Sequence, residues 1–179
     1  ASLGNYRCLC TAEEVQAYAQ ELLGVDRFAF DTETTSLRAR QAALVGLSFS
    51  TKAGEAVYIP VDSPDPSQHL GLSEVLDMLQ PVLAQEGIRK VAHNLKYDLQ
   101  ILRGAGFEVV GPFGDTMISS YLLDSTRSSH GLDALSLGLL GMQMTPISTW
   151  IGKGTSQIGF SEVPLDKASI LYTSEAADE

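Results

Sequence analysis

This 179-residue chain has no long apolar run, few basic residues beside its acids, and only two cysteines. Every hydrophobic stretch is broken by Gly, Ser or charge before the ~20 residues that would cross a bilayer. The opening ASLGNYRCLC lacks the basic start and apolar run of a secretory signal. It also lacks an initiator Met, which reads as a processed or excised piece. The two cysteines are Cys8 and Cys10. One residue apart on an expected strand, they should point to opposite faces and not bridge each other. No second Cys/His pair stands at a spacing that would complete a zinc site, so they read as plain buried thiols in a reducing compartment. Lys and Arg total 12 against 22 Asp and Glu, a net charge of −10. A free-standing duplex binder held by phosphate contacts is usually basic, so that class is disfavoured. A domain that handles a few nucleotides through bound cations, beside a neighbour that grips the duplex, remains open.

No repeat or low-complexity tract stands out, and the length suits one domain. Residues 5–10 read as a strand. Thr11 caps a helix to about Leu23, with Thr11-x-x-Glu14 as a capping box. Strands follow at Phe28–Asp31, Ala43–Ser50 and Ala56–Val61, and the polar turn at Lys52–Glu55 makes them an antiparallel meander. Ser63–Pro66 is a loop. Leu72–Ala84 has helical apolar spacing, with Pro81 placed to kink or split it. A fourth strand, Ile88–Ala92, leads into a helix over Asn94–Gly104. Asp115 caps a helix to Leu123, and Gly131–Leu140 reads as another. Residues 141–161 are rich in Gly, Ser and Thr and read as a mobile loop. Pro164 opens a last helix that runs to the chain end. The pattern implies an α/β fold with a mixed sheet.

Three groups of polar residues carry chemistry. Asp31 and Glu33 lie two apart at the end of an apolar strand, so both project from one face. Like charges held side by side repel, and a hard divalent cation relieves that repulsion. The plainer alternative is a strand that frays into a solvated acidic turn. Asn94 and Asp98 are four apart on a helix and share a face; alternatively Asn94 is a simple N-cap. His93 beside them reads as structural. On the last helix Tyr172 and residue 176 share a face, and residue 176 is Ala.

Taken together, these motifs resemble the 3′→5′ exonuclease (proofreading) domains of family A DNA polymerases. The subclass is the DEDD type with a tyrosine, in the ribonuclease H-like superfamily. The matching residues are Asp31-Thr32-Glu33, Asn94-Leu95-Lys96-Tyr97-Asp98 and Tyr172 with Ala176 where the family has Asp. Gly114-Asp115-Thr116-Met117 and Ile151-Gly152-Lys153-Gly154 lie between them, and the similarity runs from about residue 25 to the end. The resemblance implies a mixed central sheet whose first three strands are antiparallel, flanked by helices. It implies a single domain over 1–179, excised from a larger polymerase and truncated inside its C-terminal helix. It also implies bacterial cytoplasm or, in a eukaryote, an organelle.

By the same resemblance, Asp31, Glu33 and Asp98 would hold two divalent cations, Mg²⁺ or Mn²⁺, with Zn²⁺ an alternative at the first. Asp31 and Glu33 would serve the first cation and Asp31 with Asp98 the second. Tyr172 would orient the attacking water. Leu37, Asn94 and Tyr97 would contact substrate, Leu37 as a wedge against the terminal base or else as an ordinary core leucine. Trp150 would pack or, less in keeping with its surroundings, stack on a base. The implied partners are a single-stranded or frayed DNA 3′ end and the polymerase domain of the same parent chain, with no membrane. Ala176 removes a ligand of the first cation. Glu175 is about 100° round the helix from it, Glu179 one turn too far along, and Asp178 points elsewhere. Impaired hydrolysis is therefore expected of this copy. Two other readings stand beside this one. One is an RNA-processing exonuclease of the same superfamily, and the other a non-catalytic structural module of a polymerase.

Overall fold

Phe28 and Phe30 alternate with Ala29 and Asp31, and this two-residue period builds the central strand. The computed structural model describes residues 5–146, 148–152 and 158–165. It extends the strand beyond both expected ends, as β2 (Arg27–Thr34). β2 pairs antiparallel with β3 (Leu44–Lys52), and β3 antiparallel with β4 (Glu55–Pro60), which is the expected meander. β1 (Asn5–Cys8) lies parallel to β4 at one edge. On the other side of β2 come β5 (Arg89–Ala92) and β6 (Phe113–Asp115), both parallel. The sheet order is β1-β4-β3-β2-β5-β6. Three residues are too few to show a period, which is why β6 is not legible in the sequence.

One face of the sheet is covered by α1 (Ala12–Leu23) and α2 (Leu72–Leu83). Thr11 and Glu14 cap α1 reciprocally, as the capping box predicts. Val15, Leu22, Leu79 and Leu83 pack there against Phe28, Phe30, Leu47 and Phe49. The rings of Phe28 and Phe49 meet edge-on at 5.7 Å. Each such side chain contributes about 1.5–3 kcal/mol by leaving water. Pro81 does not split α2. It falls in the last turn, where buried Val82 and Leu83 anchor the backbone on both sheet and helix.

The remaining helices are α3 (Leu95–Gly104), α4 (Thr116–Leu123), α5 (Leu132–Leu135) and α6 (Ser148–Ile151). The helix expected over Gly131–Leu140 is α-helical only in α5; Ser136–Leu140 widens into a π turn. The stretch expected as a loop, 141–161, contains α6 and enters a 3-10 turn at Phe160–Glu162. Its apolar residues explain this: Trp150, Ile151, Phe160 and Val163 pack with Val45 and Tyr58 in a second cluster. That settles Trp150 on the packing alternative. Val45 reaches that cluster because it is the extra residue of a bulge: Glu33 pairs with Gly46 and Thr34 with Leu44.

Of the cysteine expectation, the absence of a bridge holds and the opposite faces do not. Cys8 and Cys10 are free thiols, but their sulfurs lie 3.6 Å apart. Face alternation holds only within a strand, and β1 stops at Cys8. Among the described residues, no helix is long and apolar enough to cross a membrane.

Candidate active site

β2 and β5 run parallel, so their carboxyl ends lie together, and the sheet order jumps between them. Such switch points leave a crevice beyond the strand ends. β5 pairs with β2 only as far as Val91 opposite Ala29. The N–H of Thr32, further along β2, therefore has no strand partner on that side. Asp98 of α3 supplies one. Its Oδ1 accepts from the Thr32 N–H at 3.1 Å and from the Thr32 hydroxyl at 2.6 Å. The carboxylate of residue 98 is thus held against β2 at Thr32, the residue that separates Asp31 from Glu33 in the sequence.

The electrostatics agree with that crowding. Asp98 is 2% exposed, and its carboxyl is pushed up to about 8, first by burial and then by the Asp31 carboxylate; the two Thr32 bonds act in the opposite direction. Tyr97 is raised by burial first, with Asp98, Glu33 and Asp31 all adding to it. Tyr58 is raised well above its ordinary value by burial and then by Glu33. Its ring lies so close over Gly46 that a Cβ there would stand 2.2 Å from the hydroxyl oxygen. Glycine at position 46 is thus required by the ring beside Glu33.

A cleft of about 890 Å³ opens over this end of β2, lined by Asp31, Glu33, Leu37, Tyr97, Met144 and Phe160 among others. Asp98 is buried and does not line it. Leu37 is 96% exposed at the cleft, which removes the core alternative for that residue. The Tyr97 hydroxyl donates to the Ser36 carbonyl at 2.7 Å and lies 2.6 Å from the Thr34 hydroxyl. Tyr97 therefore holds the loop that presents Leu37. Asn94 precedes α3 in the left-handed region, φ 66°, ψ 42°, and its side chain makes no cap bond. It stands at the N-cap position without supplying the side-chain bond of a capping Asn. Tyr172, Glu175, Ala176, Asp178, Glu179, Lys153 and Gly154 lie outside the described residues.

The carboxylates suit a hard divalent cation in kind. A buried Asp98 raised by its neighbour Asp31 is a pair that cannot readily carry two charges without one. In arrangement they fall short: among the described residues, no three His, Cys, Asp or Glu side chains converge on a cation site. Sequence reasoning missed two contributors. Thr32 looked like a spacer between two acids, and Asp115 looked like a cap for α4 alone. No local signal marks the first; for the second, the level pairing of Ala92 with Asp115 is a tertiary fact.

Comparison with known proteins adds an independent line. Residues 6–175 match the 3′-5′ exonuclease family of the DNA polymerase A class. DNA polymerase I of Pseudomonas aeruginosa is 37% identical over 170 residues, covering 90% of this chain and 18% of the relative. That of Chloroflexus aurantiacus is 38% identical over 149 residues, covering 83% and 16%. The chain thus spans less than a fifth of the length of these relatives. Among solved structures, Escherichia coli RNase D, an exoribonuclease involved in structured RNA processing, superposes with a TM-score of 0.71 at 17% identity, over 97% of this chain and 42% of that one. Brucella melitensis NrnC with bound Mg²⁺ gives 0.68 at 21%, over 97% and 74%. Pol1 from M. smegmatis gives 0.69 at 22%, over 96% and 25%. These likenesses bear on the fold, and they bear out the ribonuclease H-like mixed sheet.

Proposed function

Since the chain belongs to the 3′-5′ exonuclease domains of family A DNA polymerases, we propose that its cleft takes the frayed 3′ end of DNA and was built to hydrolyse it to nucleoside 5′-monophosphates. The observation that carries this reading is Asp98 bound to Thr32 between Asp31 and Glu33. A buried carboxylate raised toward neutrality by a second one is costly to keep, and such groups concentrate at functional sites.

In this reading Asp31 serves two cations, with Glu33 on one side and Asp98 on the other. Bound cations would acidify the attacking water and offset charge on the departing 3′ oxygen. The chain's own residues do the rest. Leu37 stands out from the rim to press on the terminal base, and Tyr97 fixes its loop through Ser36. Tyr172 orients the water, a positioning role. With a net charge of −10, the domain relies on cations and on the polymerase part of the parent chain to keep DNA near.

Ala176 leaves the first cation without one ligand, so this copy hydrolyses DNA poorly. The test is Ala176→Asp, assayed on matched single-stranded DNA and RNA with Mg²⁺ or Mn²⁺. The variant should gain at least ~10²-fold on DNA, since one ligand supplies several kcal/mol of transition-state stabilisation. Equal rates for the two proteins would sink the impairment. Faster decay of RNA would favour the RNA-processing reading, to which the fold of RNase D lends only a shared architecture. Retention of Asp31, Glu33 and Asp98 argues against a non-catalytic module, and that module would show no Mn²⁺-dependent rise in Tm.

A further inference from the structure

Asp115 makes more hydrogen bonds to backbone than capping one helix requires. Its Oδ1 accepts from Met117 N–H at 2.9 Å and Ile118 N–H at 3.1 Å, which caps α4. The same carboxylate crosses to the neighbouring element. Oδ2 accepts from Leu95 N–H at 2.9 Å, and Oδ1 from Asn94 N–H at 3.2 Å. These two amides begin α3, the helix that carries Asp98 one turn later. The parallel pairing of β5 and β6 sets Asp115 level with Ala92 and so brings it within reach. A second strut runs alongside, from His93 Nδ1 to the Thr116 hydroxyl at 2.8 Å.

The residue being clamped is strained. Asn94 is the only described non-glycine residue with positive φ. That conformation is uncommon for a residue with a Cβ, though Asn adopts it more readily than most, and here it is held by the bonds around it. Released, Asn94 would relax, α3 would start at a different angle, and the Asp98 carboxyl would leave Thr32. The bend thus decides whether the carboxylate of residue 98 meets those of β2.

We propose that Asp115 is a positioning residue of the active site: its carboxylate locks the Asn94–Leu95 bend and thereby aims Asp98 at the cation cleft. The proposal rests on the functional reading above and adds a residue to it. A carboxylate has two acceptor oxygens to divide between α3 and α4.

Two variants separate the roles. Asp115→Asn keeps Oδ1 for α4 but turns an amide toward the Leu95 N–H. Asp115→Ser is a good cap for α4 and too short to reach α3. Both should leave hydrogen exchange of the α4 amides unchanged. In both, the backbone amide resonance of Thr32 should move as its bond to Asp98 is lost, and Mn²⁺ affinity should fall about 10–100-fold, the range for lost outer-shell partners. Adding Asn94→Gly should return the Thr32 resonance and most of the Mn²⁺ affinity, because glycine takes the left-handed bend without strain. A folded variant with the parent's Thr32 resonance and Mn²⁺ affinity would overturn the proposal. So would loss of protection across α3 and α4 alike, or failure of both variants to fold, since Asp115 would then support the fold at large. If the parent chain itself binds no Mn²⁺, the functional reading fails instead, and the Thr32 resonance still decides the clamp.

Discussion

Asp98 is sunk at the carboxyl end of β2, its carboxylate 2% exposed and bound to Thr32, while Leu122 and Leu123 on α4 stand 83% and 87% exposed. The two regions invert the usual ordering of oil inside and charge outside. Burying a carboxylate beside another costs several kcal/mol, and leaving a leucine in water forgoes about 2 kcal/mol of burial. A chain under pressure for stability alone would do the reverse in both places. At the cleft end of β2 that cost is offset in part by the two bonds that Asp98 accepts from Thr32. Away from that cleft, the exposed Leu123, Leu139 and Leu140 line a second hollow beside α4.

The contrast can be broken or sharpened in four steps of decreasing effect. Phe30→Ala removes a fully buried ring from under Asp31 and should cost about 3–5 kcal/mol in urea unfolding. A cost under 1 kcal/mol would mean that the sheet core does not support the cleft.

The second step is pH. The Asp98 carboxyl is raised in the folded protein, so the proton is bound more tightly there than in the unfolded chain. Stability from that proton is fully present below the unfolded value near 4 and is lost as pH rises toward about 8. Without divalent cations, Tm should therefore fall by roughly 10 °C, about 4 kcal/mol, between pH 5 and pH 8. Asp98→Asn should flatten that slope; an equal slope in the variant would assign it to other groups. The third step, Gly46→Ala, drives a methyl into the Tyr58 ring beside Glu33 and should cost about 1–3 kcal/mol. A neutral effect would show that the ring moves aside freely. The smallest effect belongs to the exposed side of α4, where Leu122→Ser should change stability by less than about 0.5 kcal/mol. A large loss there would show that α4 is packed against something after all.

Much of this molecule was legible from local signals. The capping box at Thr11 and Glu14, the meander from Phe28 to Val61 and the cap at Asp115 each depend on residues a few positions apart. Hydrogen bonding and side-chain period act at that range, so sequence reasoning reaches them. Asp31 and Glu33 were identifiable for the same reason, being two residues apart on one strand. Other features depend on where separate segments end relative to one another. Cys10 approaches Cys8 because β1 stops between them, and the 141–161 stretch gains structure because Trp150 and Phe160 find Val45 and Tyr58. Asp98 reaches Thr32, across 66 residues, because β5 ends short of it, and Asp115 reaches Leu95 because β6 pairs level with β5. The chain alone could name the acids. Setting Asp98 against β2 required the sheet, since only strand register converts distance along a chain into ångströms between segments.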